Sequence, residues 1–213
     1  MYKVVIIDDH EMVSEAIRSM IEGFQTCQVI YTAANGREAI ERLRSNGLKP
    51  DLILLDLNMP VMNGFITMEL IHEEFPDIMV LCLSMNDDRD SFLRIIEAGA
   101  HGFISKMSSP EELHTAIQSV MTKGCYYTDE MAEFLFRSLR NSKETESAEL
   151  SDRERELLEH ICTEMTYQQI AEVMCLSPKT VDGYRTSLFQ KLGIRSRVGL
   201  AMYAVKHGYY DIA

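Results

Sequence analysis

The clearest hydrophobic pattern in the chain is the uninterrupted apolar run Leu52–Leu55, which lies between Pro50 and Pro60. Such a run is too short for the buried helix of a domain, and it is typical of a strand that is covered on both faces. The chain contains four more segments with this character: Lys3–Ile7, Gln28–Ala33, Ile78–Leu83 and His101–Ser105. The pattern therefore predicts five strands.

Segments with apolar residues at helical spacing follow each of these strands. Asn35 is placed to cap the second helix, and Ser109 precedes the Pro110 and glutamates that typically begin a helix. Five strand–helix units predict an α/β doubly wound sheet of five parallel strands. Among such sheets we favour the flavodoxin-like strand order 2-1-3-4-5.

From Leu150 onward the pattern is helical throughout. Four helices are predicted, with N-terminal caps at Ser151, Thr166, Ser177 and Ser196. Two of these caps are followed three residues later by Glu or Gln, which makes a capping box. Two helices joined by a turn of about four residues form a helix-turn-helix motif. A small all-α helix-turn-helix domain is thus predicted to follow the sheet.

These patterns divide the chain into a sheet domain at residues 1–123, a connector at 124–149 and a helical domain at 150–213. The last part of the connector, Asn141–Glu149, is polar and mostly acidic, as flexible linkers often are. A short helix around Met131–Leu139 is expected in the part before it, because the apolar residues Phe134, Leu135 and Leu139 need cover.

Composition adds little to this picture except a cellular compartment. An apolar content of 46% and a charged content of 25% over 213 residues are ordinary for a globular protein. No apolar run of about 18 residues and no basic-then-apolar leader is present, so we expect neither a membrane span nor a signal peptide. The five cysteines include no Cys-x-x-Cys pair, and we expect free thiols in a reducing cytoplasm.

Charge is distributed unevenly between the two domains. The net charge of −12 arises within residues 1–149, whereas residues 150–213 carry equal numbers of basic and acidic groups. Within Ser177–Lys206 there are six basic residues, and Asp182 is the only acidic one. A local basic field can bind nucleic acid even in an acidic protein. A solvated helix face is the alternative, and charge alone does not separate the two.

Three carboxylates follow two of the predicted strands. Asp8 and Asp9 come directly after the first strand, and Asp56 ends the run Leu52–Leu55. Ligands of open α/β sheets bind at this edge, and Mg²⁺ prefers a few oxygen ligands. A single aspartate at a strand end is more often a helix cap or a solvated residue, but three together favour a magnesium site.

One set of motifs spans the first 122 residues: the acidic pair Asp8-Asp9, Asp56 followed by Met59-Pro60 and Gly64, Ser84, and Phe103 with Lys106. In this order and spacing they resemble the receiver domain of bacterial two-component response regulators. A second set spans residues 150–208: Leu150-Ser151-x-Arg153-Glu154, Gln169-Ile170-Ala171, Ser177-Pro178-Lys179-Thr180-Val181 and Lys191-Leu192-Gly193. That set resembles the LuxR-type helix-turn-helix. Together they resemble a NarL/FixJ-type response regulator.

The receiver resemblance implies that Asp56 is a nucleophile that takes a phosphoryl group from a sensor histidine kinase. Mg²⁺ would be held by Asp9, Asp56 and the Asn58 carbonyl, with Asp8 a ligand directly or through water. Three further residues would act on the phosphate. The hydroxyl of Ser84 would donate to it, the Lys106 ammonium would balance its charge, and the ring of Phe103 would turn inward behind it.

The LuxR-type resemblance implies a DNA-recognition helix that begins at Ser177. With Val181 facing inward and about 100° per residue, one side of this helix should enter the major groove. We predict DNA contacts from Lys179, Thr180, Asp182, Gly183, Tyr184, Arg185, Thr186, Gln190 and Lys191.

Two of these residues leave alternatives open. Asp182 would either accept a hydrogen bond from cytosine N4 or pair with Arg185 or Thr186 on its own helix. Gly183 costs roughly 1 kcal/mol of helix propensity relative to alanine. It would either admit a close approach to the bases or merely be tolerated.

The resemblance implies a transcription factor that is not a turnover enzyme, although slow loss of its own phosphate is compatible with that role. Phosphorylation would control homodimerisation, partly through the last helix near Leu200 and Tyr203, and binding to double-stranded DNA at an inverted repeat. A rival is a phosphatase of the haloacid-dehalogenase type, but that family requires an aspartate where Asn58 stands. A binding module without phosphorylation is a third possibility, and the complete acidic set argues against it.

Overall fold

The structure, a computed structural model, describes residues 1–45, 49–85, 89–128 and 150–210. The first domain contains the strands β1 (Tyr2–Ile7), β2 (Cys27–Ala33), β3 (Leu52–Asp56), β4 (Met79–Ser84) and β5 (Gly102–Ser105). Its helices are α1 (Glu11–Glu22), α2 (Gly36–Ser45), α3 (Gly64–Glu74), α4 (Arg89–Glu97) and α5 (Pro110–Lys123). Each strand is followed by one helix, as predicted.

The five strands form one sheet in the order β2-β1-β3-β4-β5, and every pairing between neighbours is parallel. The predicted fold and strand order are therefore confirmed. Because β3 is central, its residues Leu52–Leu55 are fully buried. Separate apolar clusters cover the two faces of the sheet, as expected when helices pack on both sides of a parallel sheet.

The second domain contains the helices α6 (Asp152–Ile161), α7 (Tyr167–Val173), α8 (Pro178–Leu192) and α9 (Arg197–Lys206). All four predicted caps are present, and Ser151 and Thr166 form complete capping boxes. The tight turn between α7 and α8 places α8 across α6 around an apolar core. The predicted helix-turn-helix is confirmed.

The two domains pack against each other at the C-terminal end of α5. Arg197 is buried there, and its guanidinium donates to the Lys123 carbonyl of the first domain at 2.7 Å. The same guanidinium donates to the carbonyls of Ile161 and Thr163 in its own domain. Because the last carbonyls of a helix lack partners within the helix, an arginine is well suited to bind them.

Two more contacts lie in this interface. Val198 and Met202 of α9 pack against the apolar cluster of the first domain. The Tyr167 ring lies so close to Gly124 that a Cβ on that glycine would stand 2.9 Å from the ring. Leu200, by contrast, is fully buried in the core of its own domain. The dimer contact expected from the last helix near Leu200 and Tyr203 stays a prediction.

Several other predictions can be placed on the structure. All five cysteines are free thiols, as predicted. Among the described residues no helix is both long and apolar enough to cross a bilayer. The short helix predicted around Met131–Leu139 lies outside the described residues.

Candidate phosphorylation site and DNA-binding surface

The sheet brings the three predicted carboxylates together at its C-terminal edge. Ile7 pairs with Leu55 in the register of β1 and β3, so Asp8 and Asp56, each the next residue, are neighbours. Both carboxylates are buried. Without a cation nearby, two buried carboxylates in contact would repel each other strongly.

Lys106 supplies that cation. Its side chain is only 3% exposed, and its Nζ atom lies 2.7 Å from Asp8 Oδ2 and 3.0 Å from Asp56 Oδ2. Burial raises the pKa of Asp56 above its usual range, and the hydrogen bond from Lys106 opposes this shift. Lys106 directly follows β5, which lies on the other side of β4 from β3. It thus completes a charged cluster of three side chains with Asp8 and Asp56.

The loop after β3 is held close to Asp56 by the start of α3. The Asn63 side chain accepts from Ile66 N–H and caps the helix, and Gly64 N–H donates to the Leu57 carbonyl at 3.0 Å. A Cβ at Gly64 would stand 2.6 Å from Leu57 Cα, so only glycine permits this approach. The Asn58 N–H donates to Asp56 Oδ1 at 3.3 Å, which orients the carboxylate.

The acidic cluster has the donor set of a magnesium site. Ligand atoms of Asp8, Asp9, His10 and Asp56 all lie within 4.8 Å of one another. The carboxylate oxygens fit a hard divalent cation, and the backbone carbonyl of the exposed Asn58 is nearby in sequence. His10 was not predicted; its Nδ1 lies 3.0 Å from Asp9 Oδ1 and 3.2 Å from Asp8 Oδ1. The only signal in the sequence is its position directly after the acidic pair.

Ser84 and Phe103 belong to the neighbouring strands β4 and β5. Leu83 pairs with Asp56 in the register of β3 and β4, so Ser84 ends β4 at the same edge of the sheet as Asp56. Phe103 is buried in β5, and its ring contacts the edge of the Phe92 ring at 6.1 Å between centroids.

The predicted recognition helix α8 presents an exposed strip to solvent. Val181, which was placed facing inward, is fully buried, and so is Leu188. The exposed positions on this helix include Lys179, Thr180, Asp182, Gly183, Thr186, Gln190 and Lys191. The strip remains exposed although the two domains are in contact.

Two of the basic residues that were predicted to contact DNA form ion pairs within the protein. Arg185 Nη2 lies 2.6 Å from Asp182 Oδ1, and its guanidinium stacks on the rings of Tyr167 and Phe189. This is the helix-internal pairing that was one of the two alternatives for Asp182. The tip of Lys191 lies 2.8 Å from Glu154 Oε2.

Glu154 has a role that the sequence did not reveal. Its carboxylate accepts from the Ser151 backbone, as a capping box requires, and also from Ser187 Oγ at 2.7 Å and Lys191 Nζ on α8. Burial opposes its ionisation, but these hydrogen bonds together lower the pKa of Glu154 to about 2. The contact fixes α8 on α6. A sequence separation of 33 residues hides it from local patterns.

Comparison with known proteins agrees with both halves of the structure. Residues 4–118 match the family described as response regulator receiver domain, and residues 148–204 match the family described as bacterial regulatory proteins, luxR family. The response regulator UvrY of Escherichia coli K12 is 32% identical over 98% of this chain and 95% of its own length. The response regulator GacA of Pseudomonas aeruginosa is 34% identical over the full length of both chains.

Solved structures show the same arrangement of elements. A Salmonella typhimurium RcsB response regulator, studied for conformational dynamism in DNA interaction, matches with a TM-score of 0.57 and 25% identity over 95% of this chain and 97% of that one. A LuxR-family two-component response regulator from Aurantimonas matches with a TM-score of 0.58 and 27% identity, over 65% of this chain and 97% of its own. The chain therefore belongs to the NarL/FixJ-type response regulators, transcription regulators that join a receiver domain to a LuxR-type DNA-binding domain.

Proposed function

We propose that a sensor histidine kinase phosphorylates Asp56 and thereby controls dimerisation and sequence-specific DNA binding by this response regulator. The observation that supports this most directly is the buried Lys106 ammonium in contact with both Asp8 and Asp56. A cation fixed at that position can stay beside Asp56 when it gains the larger negative charge of a phosphate.

In the proposed transfer, an Asp56 carboxylate oxygen attacks the phosphorus atom of the kinase phosphohistidine. A P–O bond forms while the P–N bond breaks, and its electron pair stays on the imidazole. Lys106 would then bind one phosphate oxygen, and the Ser84 hydroxyl would donate to another. The Asn58 N–H, which already donates to Asp56 Oδ1, would keep the nucleophile oriented.

The magnesium site belongs to the same proposal. Asp8, Asp9, Asp56 and the Asn58 carbonyl would hold the ion, consistent with the clustering of the three carboxylates. A bound Mg²⁺ supplies positive charge that offsets the charge on the transferring phosphoryl group.

The interface between the domains suggests how phosphorylation reaches the DNA-binding domain. The exposed strip of α8 is accessible in the packed arrangement, whereas Val198 and Met202 of α9 are covered by the receiver. Phe103 belongs to the same apolar cluster as these two residues. A movement of Phe103 toward the phosphate would loosen that cluster and release α9.

Release of α9 would allow two copies to associate. A twofold dimer presents two α8 helices, so the expected DNA site is an inverted repeat whose half-sites are spaced by about one helical turn. Control would thus act mainly on dimer formation, since the α8 strip is exposed already. Lys179 would contribute phosphate contacts in each half-site.

Phosphorylation of Asp56 can be tested with a small phosphodonor such as acetyl phosphate. With Mg²⁺ the native chain should gain one acid-labile phosphate and shift toward a dimer in analytical ultracentrifugation. Asp56→Asn should gain none, because the amide is not a nucleophile. Asp51→Asn, in the loop before the same strand, is the matched control and should be labelled normally.

Two results would contradict the proposal. Labelling that persists in Asp56→Asn, or that proceeds normally with EDTA, would assign the phosphate elsewhere. Sustained turnover of phosphomonoesters by the native chain, lost in Asp56→Asn, would instead support a phosphatase that shares this aspartate chemistry.

A further inference from the structure

Gly183 lies in the middle of the exposed strip of α8, with Lys179 on one side and Thr186 and Gln190 on the other. Apart from proline, glycine is the least favourable residue in a helix interior. The ends of α8 carry strong helix signals. Ser177 caps its start, Pro178 follows the cap, and Gly193 ends the helix with a left-handed backbone conformation. One unfavourable residue in such a helix requires an explanation.

The fold itself provides no explanation. A Cβ built on Gly183 would meet nothing within 4 Å in the described part of the chain. Gly64 and Gly124 differ in this respect, since a Cβ at either position would strike a neighbouring atom. Gly183 also lies within regular helix, where every L-residue is allowed. Neither packing nor backbone conformation therefore requires a glycine at this position.

The neighbouring side chains turn away from Gly183 and leave its backbone bare. The Asp182 carboxylate pairs with Arg185, whose guanidinium stacks on the Tyr167 ring. The Thr186 hydroxyl donates to the Asp182 backbone carbonyl at 2.9 Å, which folds that side chain back onto its own helix. The centre of the strip is thus the part of α8 whose backbone another molecule can approach most closely.

We propose that Gly183 is a specificity-determining residue, whose missing side chain lets the backbone of α8 approach the base edges of the DNA major groove. The bases opposite Gly183 would be read by close contact with the helix backbone and with Gln190 on the same strip. The proposal depends on DNA binding by α8, which belongs to the proposed function.

The experiment compares Gly183→Ala, Gly183→Ser and Gly183→Asn in the full chain after phosphorylation with acetyl phosphate. The probes are a duplex recovered by the native chain from random DNA and a scrambled duplex of the same length. Gly183→Ala should be the most stable of the three, with a thermal unfolding midpoint roughly 4 °C or more above that of the native chain. Affinity for the selected duplex should instead fall by about tenfold with alanine and further with the larger side chains.

Affinity for the scrambled duplex should stay within about twofold for all three variants, because phosphate contacts do not depend on a close approach to the bases. The idea is overturned if affinity for the selected duplex follows helix stability, so that alanine binds as well as glycine or better. A lower thermal midpoint for Gly183→Ala would also overturn it, because the fold would then require the glycine. If the native chain recovers no preferred sequence, the proposed DNA recognition fails first, and this inference fails with it.

Discussion

At the scale of single residues, the loop after β3 holds one valine, Val61, in a backbone conformation that its branched side chain disfavours. Val61 has a φ of 68°, and the N–H of Met62 donates to the Pro60 carbonyl at 2.7 Å, which closes a γ-turn around the valine. A positive φ is a strained conformation for a β-branched residue. The side chain is 67% exposed, so packing does little to offset that strain.

Replacing this valine by glycine should relieve the strain. We expect Val61→Gly to raise the unfolding free energy of the receiver domain by about 1 kcal/mol, seen as a higher urea midpoint at an unchanged m-value. Val173→Gly is the matched control, because this valine is also exposed but ends the regular helix α7. That change should lower stability instead. A destabilised Val61→Gly would mean that the turn is not strained.

Local signals explain which residues could be placed from the sequence. Asp8 and Asp56 were predicted to meet because parallel strands end at one edge of the sheet. From the resemblance, Lys106 was expected only to balance the charge of a phosphate. Its contacts with Asp8 and Asp56 were not predicted, because a lysine after a strand has no local signature. The conformation of Val61 was not predicted, because backbone preference argues against it and the turn is imposed by the adjoining strand and helix.

At the scale of elements, Glu154 connects α6 with α8, and its charge should control the stability of the DNA-binding domain. Its pKa is lowered to about 2, below the value of about 4.3 in an unfolded chain. The contribution is therefore complete above about pH 4.3 and is lost as the pH falls toward 2. Glu154→Gln should cost about 1–3 kcal/mol at pH 7, and the difference from the native chain should shrink steadily as the pH falls below about 4.3.

The measurement is urea unfolding of the C-terminal domain signal between pH 7 and about pH 3. Glu156→Gln on the same helix is the control, because Glu156 pairs with Arg153 at the surface. That variant should stay within about 0.5 kcal/mol of the native chain. A constant difference between Glu154→Gln and the native chain at every pH would show that the carboxylate charge contributes nothing.

Helix boundaries in this domain were predictable because caps are local. Ser151 and Thr166 stand three residues before their capping partners, and the structure confirms both boxes. Contacts between helices were not predictable in the same way. The bonds from Ser187 and Lys191 to Glu154 depend on how α8 crosses α6, which the tight turn after α7 sets in three dimensions.

At the scale of the whole molecule, the packing of the two domains is the feature furthest from the sequence. Each domain was recognisable alone, from motifs that lie within it. The guanidinium of Arg197 had no predicted role, yet it joins α5 to the C-terminal domain through the Lys123 carbonyl. A contact of this kind joins surfaces of two different domains, so no local sequence pattern links the residues that form it.

The contact between Gly124 and Tyr167 should help to hold the DNA-binding domain on the receiver when no phosphate is present. Gly124 ends α5 with a φ of 82°, and the guanidiniums of Arg185 and Arg197 both lie near the Tyr167 ring beside it. Asparagine tolerates this backbone conformation, so Gly124→Asn should preserve α5. Its Cβ would nevertheless stand 2.9 Å from the Tyr167 ring, which should separate the domains.

We expect unphosphorylated Gly124→Asn to form more dimer and to bind DNA about tenfold more tightly than the unphosphorylated native chain, since overpacking costs about 1–3 kcal/mol. Gly208→Asn is the control, because that glycine also has a positive φ but a Cβ there meets nothing within 4 Å of the described residues. Ultracentrifugation and DNA titration measure both effects. If Gly124→Asn stays monomeric and binds DNA no better, while its circular dichroism shows an intact fold, the contact at Gly124 does not restrain α9. Because Gly124→Asn should separate the domains without any phosphate, it should not need Asp56. The double variant with Asp56→Asn should therefore behave like Gly124→Asn alone.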